Sequence, residues 1–131
     1  MPRIKLLVLM QGVPGSGKTT IAQELSDWIV SADDWMIDEN GNYKFDKEQL
    51  PAAHQDCQDR ARLKMLRGLS PVVVDNTNIK QTHIEPYLAL ARDHGYTVVV
   101  IRANGNYQSV HDVPQDAVER MRAEMEDLKV C

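Results

Sequence analysis

The stretch Gly12-Val13-Pro14-Gly15-Ser16-Gly17-Lys18-Thr19 satisfies every fixed position of the phosphate-binding pattern G-x-x-x-x-G-K-[S/T]. Its surroundings supply the context that the pattern needs. Ile4 to Met10 is a short apolar run with the length of a buried strand, and Thr20 to Leu25 reads as a helix. Strand, glycine loop and helix form the unit in which backbone N–H groups wrap a polyphosphate. The glycines remove Cβ atoms that would hold an anion away from the amides. The helix N-terminus adds unpaired N–H groups and partial positive charge. The expected phosphate contacts are Gly12, Val13, Pro14, Gly15, Ser16, Gly17, Lys18, Thr19 and Thr20. Lys18 is expected to reach the β- and γ-phosphates of ATP, and Thr19 to offer its hydroxyl to Mg²⁺.

Working outward, the 131 residues fit one domain, taken here as 1–131, with a single core. A formal net charge of −4 argues against non-specific nucleic-acid binding driven by overall charge, though it leaves room for a local basic groove. No apolar run approaches membrane-spanning length, and the N-terminal run leads straight into the glycine loop, so it reads as a core strand rather than a signal peptide. The two cysteines, Cys57 in an expected helix and Cys131 at the last position, do not suggest a structural disulfide. A reducing, cytoplasmic setting is the corresponding expectation. Oligomeric state is not legible.

Strand-like and helix-like runs alternate along the chain. Strands are expected at Trp28–Ser31, Val72–Asp75 and Thr97–Ile101, the valine-rich ones apolar at consecutive positions as in a sheet covered on both faces. A long helix is expected over Asp46–Gly68, with Leu50, Ala53, Cys57, Ala61 and Met65 as its stripe; Pro51 moves its start toward Leu50. Ile84, Tyr87, Leu88 and Ala91 mark another helix, stopped by Gly95, and a last one starts near Pro114 with Val118, Met121, Met125 and Leu128 inward. The alternation predicts an α/β fold of three layers, a short parallel sheet of about four strands with helices on both faces. With the phosphate loop at its first turn, the expectation is a P-loop NTPase fold, whose strand order would be 2-3-1-4.

Ligands in such sheets bind beyond the carboxyl ends of the strands. Two acidic clusters fall there. Asp75, closing Val72-Val73-Val74, reads either as a carboxylate for Mg²⁺ or as a strand-ending Asp that opens a turn. Asp33 and Asp34 follow the second strand; one of them could cap the next helical turn. Alternatively, Asp33 takes a proton from an acceptor hydroxyl with Asp34 in support. The late basic cluster Arg60, Arg62, Lys64 and Arg67 reads as ordinary partners of a helix C-terminus.

Taken together, G-V-P-G-S-G-K-T, then S-A-D-D-W, then Asn42 to Asp46, then V-V-V-D-N-T-N, then His111-Asp112-Val113-Pro114 resemble the small P-loop kinases related to polynucleotide kinase, of AAA type. They are most similar to the kinase-like domain of NEDD-binding ATPases. The resemblance covers nearly the whole chain. It implies transfer of the γ-phosphate of ATP to the 5′-hydroxyl of DNA or RNA. It implies Asp33 as general base, and Asp75, Asn76 and Thr77 near the acceptor. A nucleoside, nucleotide or other small alcohol is the alternative acceptor, and a catalytically weakened ATP-binding module the alternative class.

Two departures stand out. Bacteriophage-type enzymes carry an Arg three residues after the catalytic Asp, where this chain has Met36; nearby Trp35 is placed either to stack on an acceptor base or to be buried. Relatives also carry lid arginines before His-x-Val-Pro, whereas Ala103 to Val110 contains none and has Gln108 instead. Arg102, Arg120 or Arg122 are the candidate substitutes, Arg120 being the one assigned to ATP. Losing such a cation costs on the order of 10³-fold in rate.

Overall fold

Each apolar run pairs with the strand that the alternation predicts. β1 (Leu6–Gln11), β2 (Trp28–Val30), β3 (Val72–Asp75) and β4 (Thr97–Arg102) form one parallel sheet of order β2-β3-β1-β4. The computed structural model describes residues 4–105 and 113–130. Cys131, Gln108 and His111 lie outside them. Among the described residues no helix is long and apolar enough to cross a membrane.

The sheet is a sandwich filling with unequal covers. On one face Leu7, Leu9, Val72 and Val74 pack against α2 (Leu50–Leu66) and α3 (Gln81–His94), through Ala53, Cys57, Ala61 and Met65 from α2 and Ile84, Tyr87, Leu88 and Ala91 from α3. The small residues on α2 let it approach the sheet closely, and β-branched valines suit the pleated surface beneath. On the other face Val8, Met10 and Val73 meet Ala22 of α1 (Lys18–Leu25), with Ile21, Ile29 and Ile101 at the margin. That cover is short. β4 is an edge strand and Val99 is 37% exposed on it, so the continuous burial expected for this valine run holds for β3 but not for β4.

The helix boundaries differ from the sequence reading for local reasons. Asp46 caps a separate 3-10 turn, Lys47–Gln49, by accepting the Glu48 N–H at 3.0 Å, and α2 begins at Leu50 with Pro51 in its first turn. Gly95 (φ 74°) closes α3 in a left-handed conformation. The last helix, α4 (Gln115–Glu124), ends before Met125, which is extended. Val118 is its buried residue. Leu128, expected on the same face, packs on the main core from the extended tail instead. That tail is fastened by hydrogen bonds: Glu126 N–H donates to Ile79 O at 2.7 Å, and Gln81 and Lys129 exchange bonds at 2.7 and 2.8 Å.

Candidate functional site

The carboxyl ends of β1, β2 and β3 bring the sequence-selected residues to one edge. Leaving β1, the chain turns at Gly12, whose N–H donates to Thr77 O at 3.0 Å; Ser16 O in turn receives the Gly105 N–H at 2.9 Å. The loop is therefore held from the β3 side and from the β4 side. A Cβ on Gly12 would strike the Ser16 hydroxyl and sit 3.1 Å from Ala103 O, so this position admits only glycine without a shift. Gly17 (φ 90°) takes the left-handed conformation that starts α1. No side chain caps α1 and no acidic residue lies in its first turn, so its N-terminal N–H groups face the loop without a competing protein anion.

Below the loop, Thr19 Oγ1 donates to Asp75 Oδ2 at 2.7 Å, and Lys18 Nζ lies 4.0 Å from Asp75 Oδ1. Asp75 is buried, and its Oδ1 has no hydrogen-bond partner among the described residues. Leaving a carboxylate oxygen buried without a donor is costly. The set fits a hard divalent cation: a hydroxyl and a carboxylate beside a phosphate loop are what Mg²⁺ takes alongside phosphate oxygens and water. Among the described residues no group of three or more His, Cys, Asp or Glu is placed to hold a metal ion.

Asp33 sits across on the 3-10 turn Ala32–Met36 that follows β2. Ser31, rather than either aspartate, caps this turn, taking the Asp33 N–H at 3.2 Å. Two clamps fix it. Asn76, directly after β3, accepts the Ala32 N–H at 2.8 Å with its side-chain oxygen, and its amide N–H reaches Cys57 Sγ at 3.6 Å. Arg60 of α2 donates to Ser31 O at 2.7 Å, to Asp34 Oδ2 at 2.9 Å and to Asp56 Oδ2 at 2.8 Å. Asn76 is thus turned inward, and Asp34 is bound to Arg60. Thr77 meets the phosphate loop through its carbonyl.

Asp33 also receives the Tyr43 hydroxyl on Oδ1 at 3.4 Å. Burial first, and then the Asp33 charge, push the Tyr43 phenol up to about 12, so it stays a proton donor through the neutral range. Arg60 and Tyr43 are the residues that sequence reasoning missed. Arg60 looked like one of four helix-end cations, and the only sign of Tyr43 was its place in the Asn42–Asp46 stretch. Trp35 is exposed on the same turn, its Nε1–H donating to Gln49 Oε1 at 3.1 Å, while Met36 points into the core.

Of the three candidate lid cations, Arg102 is occupied. Its guanidinium donates to Gln11 Oε1 at 2.7 Å, Asp127 Oδ1 at 3.0 Å and Glu126 O at 3.1 Å. Arg120 and Arg122 are exposed on α4.

The family model described as "AAA domain" matches residues 7–105, which include the loop, Asp33 and Asp75. The chain is 34% identical to human NEDD4-binding protein 2 over 130 residues, covering 88% of this chain and 7% of that protein. It is 30% identical to 2′,3′-cyclic-nucleotide 3′-phosphodiesterase of Pongo abelii over 103 residues, covering 74% of this chain and 24% of that protein. It thus spans a small part of the length of either relative. Among solved structures, it superposes on a chain of the Pnkp1/Rnl/Hen1 complex with a TM-score of 0.62 at 17% identity, covering 92% of this chain and 40% of that one. Kti12 of Chaetomium thermophilum, solved with ADP-AlF3, gives a TM-score of 0.59 at 17% identity, with coverages of 92% and 80%. At these identities the superpositions speak to the fold.

Proposed function

This chain belongs to the AAA domain family, and from that premise we propose that it moves the γ-phosphate of ATP to a hydroxyl acceptor, the 5′-OH of a polynucleotide. The observation that carries the reading is the juxtaposition of an uncapped phosphate loop with Asp33 on a separately clamped turn at the same sheet edge. Lys18 and the loop amides bind and orient the triphosphate. Thr19 and Asp75 would hold Mg²⁺, which lends neutralising charge at the transferred group. Asp33 accepts the acceptor's hydroxyl proton as the new O–P bond forms and the bond from the γ-phosphorus to the bridging oxygen breaks, leaving ADP. Tyr43 orients that carboxylate. Trp35, Asp34, Asn76 and Thr77 serve the acceptor side, the last three by holding the turn and loop in place. A nucleotide-bearing acceptor is in keeping with a relative whose name identifies a cyclic nucleotide as its substrate.

Incubation with γ-labelled ATP and 5′-hydroxyl oligonucleotides tests this directly: label is expected on the 5′ end, and its transfer to no nucleic acid would reject that acceptor. Two observations favour other readings. Met36 is buried where bacteriophage-type enzymes place an Arg on the acceptor phosphate, which favours a small alcohol; a nucleoside and metabolite screen in the same assay separates it. The engagement of Arg102 by Gln11 and the tail favours a weakened ATP-binding module; then ATP binds but Asp33→Asn changes no turnover.

A further inference from the structure

Beyond Asp33 the acceptor turn runs into a groove of about 330 Å³, lined by Trp35, Ile37, Asp38, Lys44, Asp46 and Gln49. Trp35 and Ile37 are 45% and 46% exposed, and Phe45, between two of the lining residues, is 60% exposed. Single exposed apolar residues are ordinary, but large ones gathered on one short hairpin make a patch.

The patch is built, not loose. The bond from Trp35 to Gln49 holds the indole plane. Lys44 N–H donates to Met36 O at 2.7 Å and Asp38 N–H to Asn42 O at 2.8 Å, closing the hairpin around the Ile37–Tyr43 bridge. The Asp38 carboxylate takes the N–H groups of Asn40 and Asn42, each at 2.9 Å, and the latter bond foremost holds it below the usual carboxylate range.

Charge narrows the occupant. Two carboxylates, Asp38 and Asp46, stand against one ammonium, Lys44, itself 3.4 Å from Asp38. Such a rim repels phosphate and accepts N–H donors. A flat, uncharged ring with amino groups on its edge satisfies both the aromatic wall and the acidic rim. Tyr43 of the same hairpin touches Asp33, which ties the groove to the reacting end of the acceptor.

We propose that this groove is a subsite for the unpaired nucleobase nearest the acceptor hydroxyl, stacked on Trp35 and favouring amino-bearing bases over thymine or uracil. The proposal rests on the reading of Asp33 as the proton acceptor and deepens it by making the substrate a frayed or single-stranded end. It predicts discrimination in KM.

The test uses 5′-hydroxyl oligonucleotides that differ only in their first residue, one of them abasic. The abasic end should lose at least about tenfold in kcat/KM through KM, the scale of one stacked base. Trp35→Ala should erase that difference, and Trp35→Phe should keep much of it. Equal rates for abasic and adenine ends would overturn the subsite while leaving phosphoryl transfer intact. A second measurement does not depend on turnover. In a Trp28→Phe background, adenosine and cytidine should quench the remaining tryptophan, and Asp38→Asn should weaken the effect. If instead an apolar peptide quenches and nucleosides do not, the groove is a protein-docking site and the proposal is wrong. If no oligonucleotide is phosphorylated but nucleosides quench, the subsite stands and the acceptor assignment fails.

Discussion

The side-chain oxygen of Asn76 accepts the Ala32 N–H at 2.8 Å, so the residue after Asp75 holds the turn that carries Asp33. Two strand ends are thereby fixed to each other through one buried amide. Asn76→Ala leaves the Ala32 N–H unpaired, at a cost of about 1–3 kcal/mol in stability read by urea unfolding. Misplacing Asp33 by a fraction of its reach should lower kcat by up to about 100-fold. ATP affinity, measured calorimetrically, should stay put; a parallel fall would mean that the clamp serves the loop and not the turn.

Arg60 makes the second clamp, and its three bonds need a planar fork. Arg60→Lys keeps the charge but cannot span Ser31 O, Asp34 and Asp56 together. Turnover should drop, and added guanidinium should partly restore Arg60→Ala without changing its affinity for ATP. Full activity in both variants would show that the turn is held without Arg60.

Gly12 and Gly41 make a matched pair for the phosphate loop. Gly12→Ala meets the Ser16 hydroxyl and Ala103 O, whereas Gly41 (φ +81°) has open space around it. Each amide bond to phosphate that the displaced loop loses is worth about 1.5–3 kcal/mol, so ATP binding should weaken about 10- to 100-fold. Gly41→Ala should cost about 1–2 kcal/mol of stability through backbone strain and leave ATP affinity alone. Equal affinity losses in the two variants would contradict the steric account.

Tyr43 titrates from 10.0 up to about 12 on folding, with burial and Asp33 as causes. The folded state therefore holds that proton more tightly than the unfolded state. The resulting stabilisation is complete below pH 10 and is lost as pH rises toward 12. Compared with the wild type, Tyr43→Phe should lose less stability across that window in pH-dependent thermal melts. Superimposable slopes would show that Tyr43 is not buried against Asp33.

The phosphate loop was legible because it depends on short-range spelling, and the sheet order came with the fold that this loop marks. The glycines sit between a strand and a helix, and Val72-Val73-Val74 has one stable environment. Asp33 and Asp75 followed from the strand-end rule. Arg60 was not legible: its partners, Ser31 and Asp34, lie on another element, and helix spacing alone makes Arg60 look like Arg67. Nor was the tail. Met125 and Leu128 continue the helical spacing of Val118, but the chain leaves the helix at Glu124 because Glu126 bonds to Ile79 and Gln81 instead. The exposure of Val99 on β4 escaped for a similar reason, since the Val98–Val100 run carries no mark of how short α1 is.

The bond from Gln11 to Glu126 O spans 115 positions in the chain, and Gln11 is the residue on which Gly12 stands. A ribosome must therefore carry synthesis through residue 126, and release that stretch, before the footing of the nucleotide cradle is complete. Nascent chains stopped short of residue 126 should carry the full glycine signature yet lack that footing, so nucleotide capture becomes a report on synthesis having passed that point.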